Sequence, residues 1–260
     1  HLILWLENKE RIMKKIVLAL TFLCSSIFAG TINIAVAANV SYAINELIAE
    51  FNKTNPDTKI EVVLGSSGKF TTQIQNGAPF DIFLSADMKF PETLEKENLT
   101  ATKPVIYAQG SVAMLSAKPL DFSKGIALVA NKDIEKIAIA NPKTAPYGTA
   151  AIEALKNANI LDKVESKFVY AESISQAVTY AMTAADVGFI AKSSLYDEKM
   201  SQYKENINWI SVDPKLYTPI DQGIVILNRA KDNKEAKAFY DFILSDNAKK
   251  IFIDFGYLVK

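Results

Sequence analysis

Residues 59–86 read "KIEVVLGSSGKFTTQIQNGAPFDIFLSA", and this stretch decides the fold. "KIEVVL" (59–64) is an apolar, β-branched run and reads as a strand. Gly65-Ser66-Ser67-Gly68 makes a corner. Residues 69–76 read as a short helix, stopped by Gly77 and Pro79. "DIFLSA" (81–86) is the next strand. A helix between two strands is a crossover, which makes the strands parallel. Upstream, "TINIAVA" (31–37) reads as a buried strand. In 42–53, "YAINELIAEFNK", Ile44, Leu47, Ile48 and Phe51 fall at helical spacing. The resulting βαβαβ order predicts a parallel sheet with helices on both faces.

Downstream, "PVIYAQGSVAMLSA" (104–117) reads as one long strand or two joined at Gly110. A second α/β series follows: strand 136–141, helix 148–158, strand 167–171, helix 173–184 and strand 186–191. "DQGIVILN" (221–228) reads as a strand returning to the first series. Helices over 233–246 and 247–256 close the chain; in the former, Ala236, Phe239, Tyr240 and Ile243 share one face. Two series joined by a long connection predict an α/β molecule of two lobes with a ligand cleft between them. The expected boundaries are 30–108 plus 225–260 for lobe I and 109–224 for lobe II.

The 260 residues are 49% apolar and 22% charged, with formal net charge zero. A neutral chain has no overall attraction to nucleic acid or acidic membranes. From Met13, "MKKIVLALTFLCSSIFAG" has two lysines, an apolar run and a small-residue cleavage pattern. It reads as a secretory signal peptide ending near Ala29, and residues 1–12 as upstream sequence. Lipid anchoring through Cys24 would want a small residue before it, and Leu23 stands there. His1 and Cys24 are the one histidine and one cysteine, and Arg11 and Arg229 the two arginines. Residues 1–29 hold four of the 29 Lys+Arg and two of the 29 Asp+Glu, leaving 25 and 27. From Gly30 onward, Ser-His-Asp and Cys-His catalysis, His/Cys metal sites and arginine clusters for phosphate are excluded. Such an exported chain is expected to bind rather than catalyse, with no cofactor and no cation site.

Helix N-termini expose N–H groups without intrahelical partners and carry partial positive charge, so they hold anions without cationic side chains. Four strand-to-helix corners have that chemistry: 37–41, with Ala38 and Asn39; 65–68, with Ser66 and Ser67; 146–149, with Tyr147; and 171–174, with Ile174. In parallel α/β sheets such corners gather at the carboxyl ends of strands. Taken singly, Asn39, Ser41, Ser67 and Ser173 could be plain N-caps and the glycines plain turns. "GSSGKF" lacks the spacing of a nucleotide P-loop: two residues separate Gly65 from Gly68, and Phe70 stands where Ser or Thr is required. A Ser67–Lys69 nucleophile and base is a further alternative.

"GSSGKFTTQIQNGAPFDIFLSAD" resembles the signature of the periplasmic molybdate-binding proteins, the ModA family of ABC importers. "AVAANVSYAINEL", "IAIANPKTAPYGTAAIEAL", "AESISQAV", "ADVGFIAKS" and "AFYDFILSDNAKKIFIDFGY" extend the match over nearly the whole chain beyond residue 30. The resemblance implies a type II periplasmic-binding-protein fold, with two lobes and mixed, mainly parallel sheets. It also implies no catalysis, a monomer in the periplasm, and an ABC permease with its ATPase as partners. The implied ligand is molybdate or tungstate, with the metal present only as the oxyanion. Carried over by position, the ligand residues are Asn39, Ser67, Tyr147 and Ile174, with Ala38 and Ser66 beside them. Asn39 would donate from its side-chain amide, and Tyr147 and Ile174 from backbone N–H. Ala191 stands where some members place a ligating tyrosine, and the Tyr147 hydroxyl is a candidate replacement. A sulfate-binding protein is the alternative within the class.

Overall fold

The computed structural model describes residues 30–259, so the expected signal peptide, its expected end near Ala29 and Cys24 lie outside the described residues. Strand β1 (Thr31–Ala37) runs into a 3₁₀ turn (Ala38–Tyr42) and helix α1 (Ile44–Asn52), which buries Ile44, Leu47 and Phe51. Strand β2 (Lys59–Gly65), helix α2 (Ser67–Gln75) and strand β3 (Ile82–Leu84) follow as the crossover requires. Helix α3 (Lys89–Lys96), not anticipated from sequence, then leads to β4 (Val105–Gly110) and β5 (Val112–Leu115).

The second series is β6 (Ile137–Ala140), α4 (Pro146–Asn157), α5 (Leu161–Val164), β7 (Phe168–Ala171), α6 (Ile174–Thr183) and β8 (Val187–Ala191). It ends with the short β9 (Trp209–Ser211). Strand β10 (Ile220–Ile226) and helices α7 (Lys234–Ile243) and α8 (Asp246–Asp254) complete the chain.

Two five-stranded sheets share one plan. The first has the order β2-β1-β3-β10-β4 and the second β7-β6-β8-β5-β9. β1 pairs in parallel with β2 and β3, while β10 runs antiparallel to β3 and β4. β6 pairs in parallel with β7 and β8, while β5 runs antiparallel to β8 and β9. The sheets are therefore mixed, with four of five strands running one way in each. The βαβαβ strands β1, β2 and β3 are parallel as expected, and the sheet is mixed because β10 enters from the other series in the opposite sense.

Gly110 ends β4 in the first sheet, and Val112 begins β5 in the second. The chain thus crosses outward at Ser111 and returns between Ser211 and Ile220. The expected lobe boundaries at 108/109 and 224/225 fall inside β4 and β10. The returning strand expected over 221–228 is β10, which pairs with β4 from Ile220, the register shifting between Gln222 and Gly223.

Helices α1, α7 and α8 cover one face of the first sheet, where Phe51 meets Phe239 edge-on with ring centroids 5.2 Å apart. α2 and α3 cover the other, around Phe70, Phe80 and Phe83. Each fully buried Phe stabilises the fold by about 1.5–3 kcal/mol.

Candidate functional site

The four corners lie at the carboxyl ends of β1, β2, β6 and β7, on the edge where α/β sheets bind ligands. All six candidate residues are buried: Ala38, Asn39, Ser66, Ser67, Tyr147 and Ile174. Ala38, Tyr147 and Ile174 belong to one apolar cluster that also holds Ala37 and Ala86 of the first α/β series and Ala140, Ala171 and Ala191 of the second. The second and third corners touch directly, since Gly68 N–H donates to the Thr144 carbonyl at 2.8 Å. A Cβ at Gly68 would stand 2.8 Å from Thr144 Cα and 2.9 Å from the Phe90 ring, so only glycine permits this approach. Outside it, Lys69 Nζ donates to Glu172 Oε2 at 2.8 Å, tying the second corner to the fourth.

Local sequence explains how each corner presents donors. Ser66, in extended backbone, is the N-cap of α2, yet its side chain makes no cap hydrogen bond, and its buried Oγ has no partner. Ser67 is the first helical residue; its Oγ accepts from Ala86 N–H at 2.9 Å, and its own proton meets no acceptor among the described residues. Ser67 is therefore not the plain N-cap that sequence alone allowed. Pro146 opens α4, two residues earlier than expected, because its fixed φ suits the first helical position. Tyr147 N–H and Ile174 N–H therefore lie in first turns, where no intrahelical acceptor exists. Ser173 is an ordinary N-cap, its Oγ accepting from Gln176 N–H at 3.3 Å.

The electrostatics are those of neutral donors. Arg229, the one arginine among the described residues, pairs with Asp81 at 3.1 Å. Lys69 is half-exposed and engaged with Glu172 rather than with Ser67. Ser67 thus has no base, and the Ser–Lys nucleophile is overturned. Among the described residues no group of three His, Cys, Asp or Glu side chains could hold a metal ion.

Asn39 differs from expectation. Its Nδ2 donates to Gln222 Oε1 at 2.8 Å and Tyr257 Oη at 2.9 Å, and lies 3.3 Å from Tyr147 Oη. Both amide protons are committed, while Asn39 Oδ1 is buried without a partner. The Asn39 carbonyl accepts from Tyr257 Oη at 2.8 Å and Ser193 Oγ at 3.0 Å. Gln222 Nε2 donates to Tyr147 Oη at 2.9 Å, and Tyr107 Oη donates to Gln222 Oε1 at 2.9 Å. Burial pushes the Tyr107, Tyr147 and Tyr257 hydroxyls above their ordinary value, so all three stay protonated. Sequence reasoning missed Gln222, Tyr107, Tyr257 and Ser193, whose contacts with one another, Asn39 and Tyr147 span 75 to 218 residues. A polar Gln inside the apolar run "IDQGIVI" was the one available signal.

Residues 32–258 match the family model described as bacterial extracellular solute-binding protein. The chain is 38% identical over 231 residues to the molybdate-binding protein ModA of Azotobacter vinelandii, covering 88% of this chain and 90% of that protein. It is 37% identical over 235 residues to ModA of Rhodobacter capsulatus, covering 89% and 90%. The solved periplasmic molybdate-binding protein of Azotobacter vinelandii superposes with a TM-score of 0.81 at 30% identity, covering 88% of this chain and 99% of that one. The chain therefore belongs to the bacterial extracellular solute-binding proteins, a family of binders rather than enzymes, and within them to the ModA group.

Proposed function

We propose that this chain is the periplasmic solute-binding component of an ABC importer, capturing molybdate or tungstate for delivery to a membrane permease and its ATPase. One observation carries the reading. The corners gather uncharged donors, with unspent protons on Ser66 and Ser67, in a buried place, and no Lys or Arg among the described residues is buried. Molybdate and tungstate are full dianions at neutral pH and ask only for donors. The names of the relatives point the same way.

In this reading Ser67 donates its hydroxyl, Ser66 its hydroxyl or N–H, and Tyr147 and Ile174 their backbone N–H. Ala38 and Asn39 contribute backbone N–H, since the Asn39 amide protons are already engaged. Helix dipoles supply the favourable potential. Phosphate arrives protonated and needs an acceptor. Sulfate, also a donor-seeking dianion, would have to be discriminated by pocket size, since a misfit leaves buried donors unpaired.

Calorimetric titration of the chain from Gly30 with molybdate, tungstate, sulfate and phosphate tests this. Tight 1:1 binding of the first two alone is expected. Phosphate binding would mean that Asn39 Oδ1 accepts a P–OH proton and would overturn the donor-only cradle. Heat with sulfate alone would favour a sulfate carrier, and no heat with any oxyanion sinks the reading.

A further inference from the structure

We infer that Gln222 is a positioning residue that locks the first corner to the third at the point where the chain crosses between lobes. The inference rests on the reading of these corners as the oxyanion site. Gln222 is completely buried in β10. Its Oε1 takes protons from Asn39 Nδ2 and Tyr107 Oη, and its Nε2 gives one to Tyr147 Oη. One amide thus joins a residue of the first corner, a residue of the third corner and a strand of the first sheet. The irregular pairing of β4 with β10 accompanies it: Gln222 pairs with Ala108 and Gly223 with Ile106, so Tyr107 of β4 is left over as a bulge residue.

Gly110 supplies an independent observation. A Cβ there would lie 2.0 Å from Tyr147 Oη and 2.6 Å from Gln222 Nε2. The last residue of the outgoing strand is therefore bare where the Tyr147–Gln222 pair sits, and the pair fills the crossing point. Held at its far end by Gln222 and Gly110, the Tyr147 ring fixes the start of α4, and with it the N–H that faces a ligand. The Tyr147 hydroxyl is accordingly a hinge group, not the replacement for the tyrosine absent at Ala191. A buried amide is strongly directional because leaving any of its groups unpaired is costly.

The test uses Gln222→Leu and Tyr147→Phe, singly and combined, with molybdate affinity read by calorimetry. Each single change is expected to weaken binding by about 5–150-fold, the range for coupling between sites. The double variant should be no weaker than the worse single, because both remove the same link. Unchanged affinity in Gln222→Leu, or losses that multiply in the double, overturns the inference.

Should Gln222→Leu fail to fold, Gln222→Glu decides. A buried Glu has a raised pKa. Protonated, it can still donate to Tyr147 and accept from Asn39. Its molybdate affinity should stand near that of the parent at low pH and fall as pH rises, while the parent stays flat. A pH-independent Gln222→Glu overturns the inference. A parent protein that binds no molybdate overturns the site reading itself, and that result is seen before any variant is made.

Discussion

Ser67 Oγ accepts the Ala86 N–H at 2.9 Å, so its proton is left for an incoming oxygen. Ser67→Ala removes that donor and also strands the buried Ala86 N–H. The expected loss is about 1–3 kcal/mol of molybdate binding, or about 5–150-fold. Calorimetry checks it, and an unchanged Kd removes Ser67 from the site. Asn39 shows the limit of reading residues singly. Its position at the first corner was legible, and it is fully buried there. That its amide is spent on Gln222 and Tyr257 was not, because those partners lie 183 and 218 residues away. Ser66 and Ser67 were legible because a helix N-terminus after a strand is a local pattern, whatever the tertiary structure adds.

At the scale of elements, the same division holds. β1, β2 and α1 carry long periodic runs, and the sequence places them to within a residue or two of their observed ends. α3 was missed: eight residues with Pro91 in its first turn make a weak helical signal, and it owes its place to the burial of Pro91 and Leu94. β9 was missed because three residues make a strand only through pairing with β5. The start of α4 rests on a close approach. A Cβ at Gly148 would lie 2.0 Å from the Ala140 carbonyl oxygen, so α4 can seat against β6 only with glycine there. Gly148→Ala forces the helix off the strand and displaces the Tyr147 N–H. Overpacking of this kind costs about 1–3 kcal/mol of stability. Both the melting temperature and molybdate affinity should fall; a variant that matches the parent in both would show that this approach does not position the corner.

At the scale of the whole molecule, the crossing point joins both sheets through groups that titrate only at high pH. Tyr107, Tyr147 and Tyr257 all meet within the network centred on Gln222 and Asn39, and desolvation by burial is the main cause raising each of them. A phenol whose folded pKa is raised holds its proton more tightly folded than unfolded. Below the unfolded value of about 10 both states are protonated, and the shift contributes nothing to pH dependence. Above it the unfolded chain loses protons that the folded chain keeps, so stability declines as pH rises. No group of the proposed cradle ionises near neutrality. Melting temperature should therefore be flat from about pH 6 to about pH 9 and fall above about pH 10, while molybdate affinity stays flat past about pH 10 because the folded phenols keep their protons. Tyr147→Phe removes one of the three phenols, so its melting temperature should fall less steeply over the alkaline range. Melting curves at saturating molybdate separate the alternatives. An affinity that already changes across neutral pH would place an ionising side chain in the cradle, against the neutral-donor reading. An alkaline slope unaltered by Tyr147→Phe would show that the crossing-point phenols do not govern it.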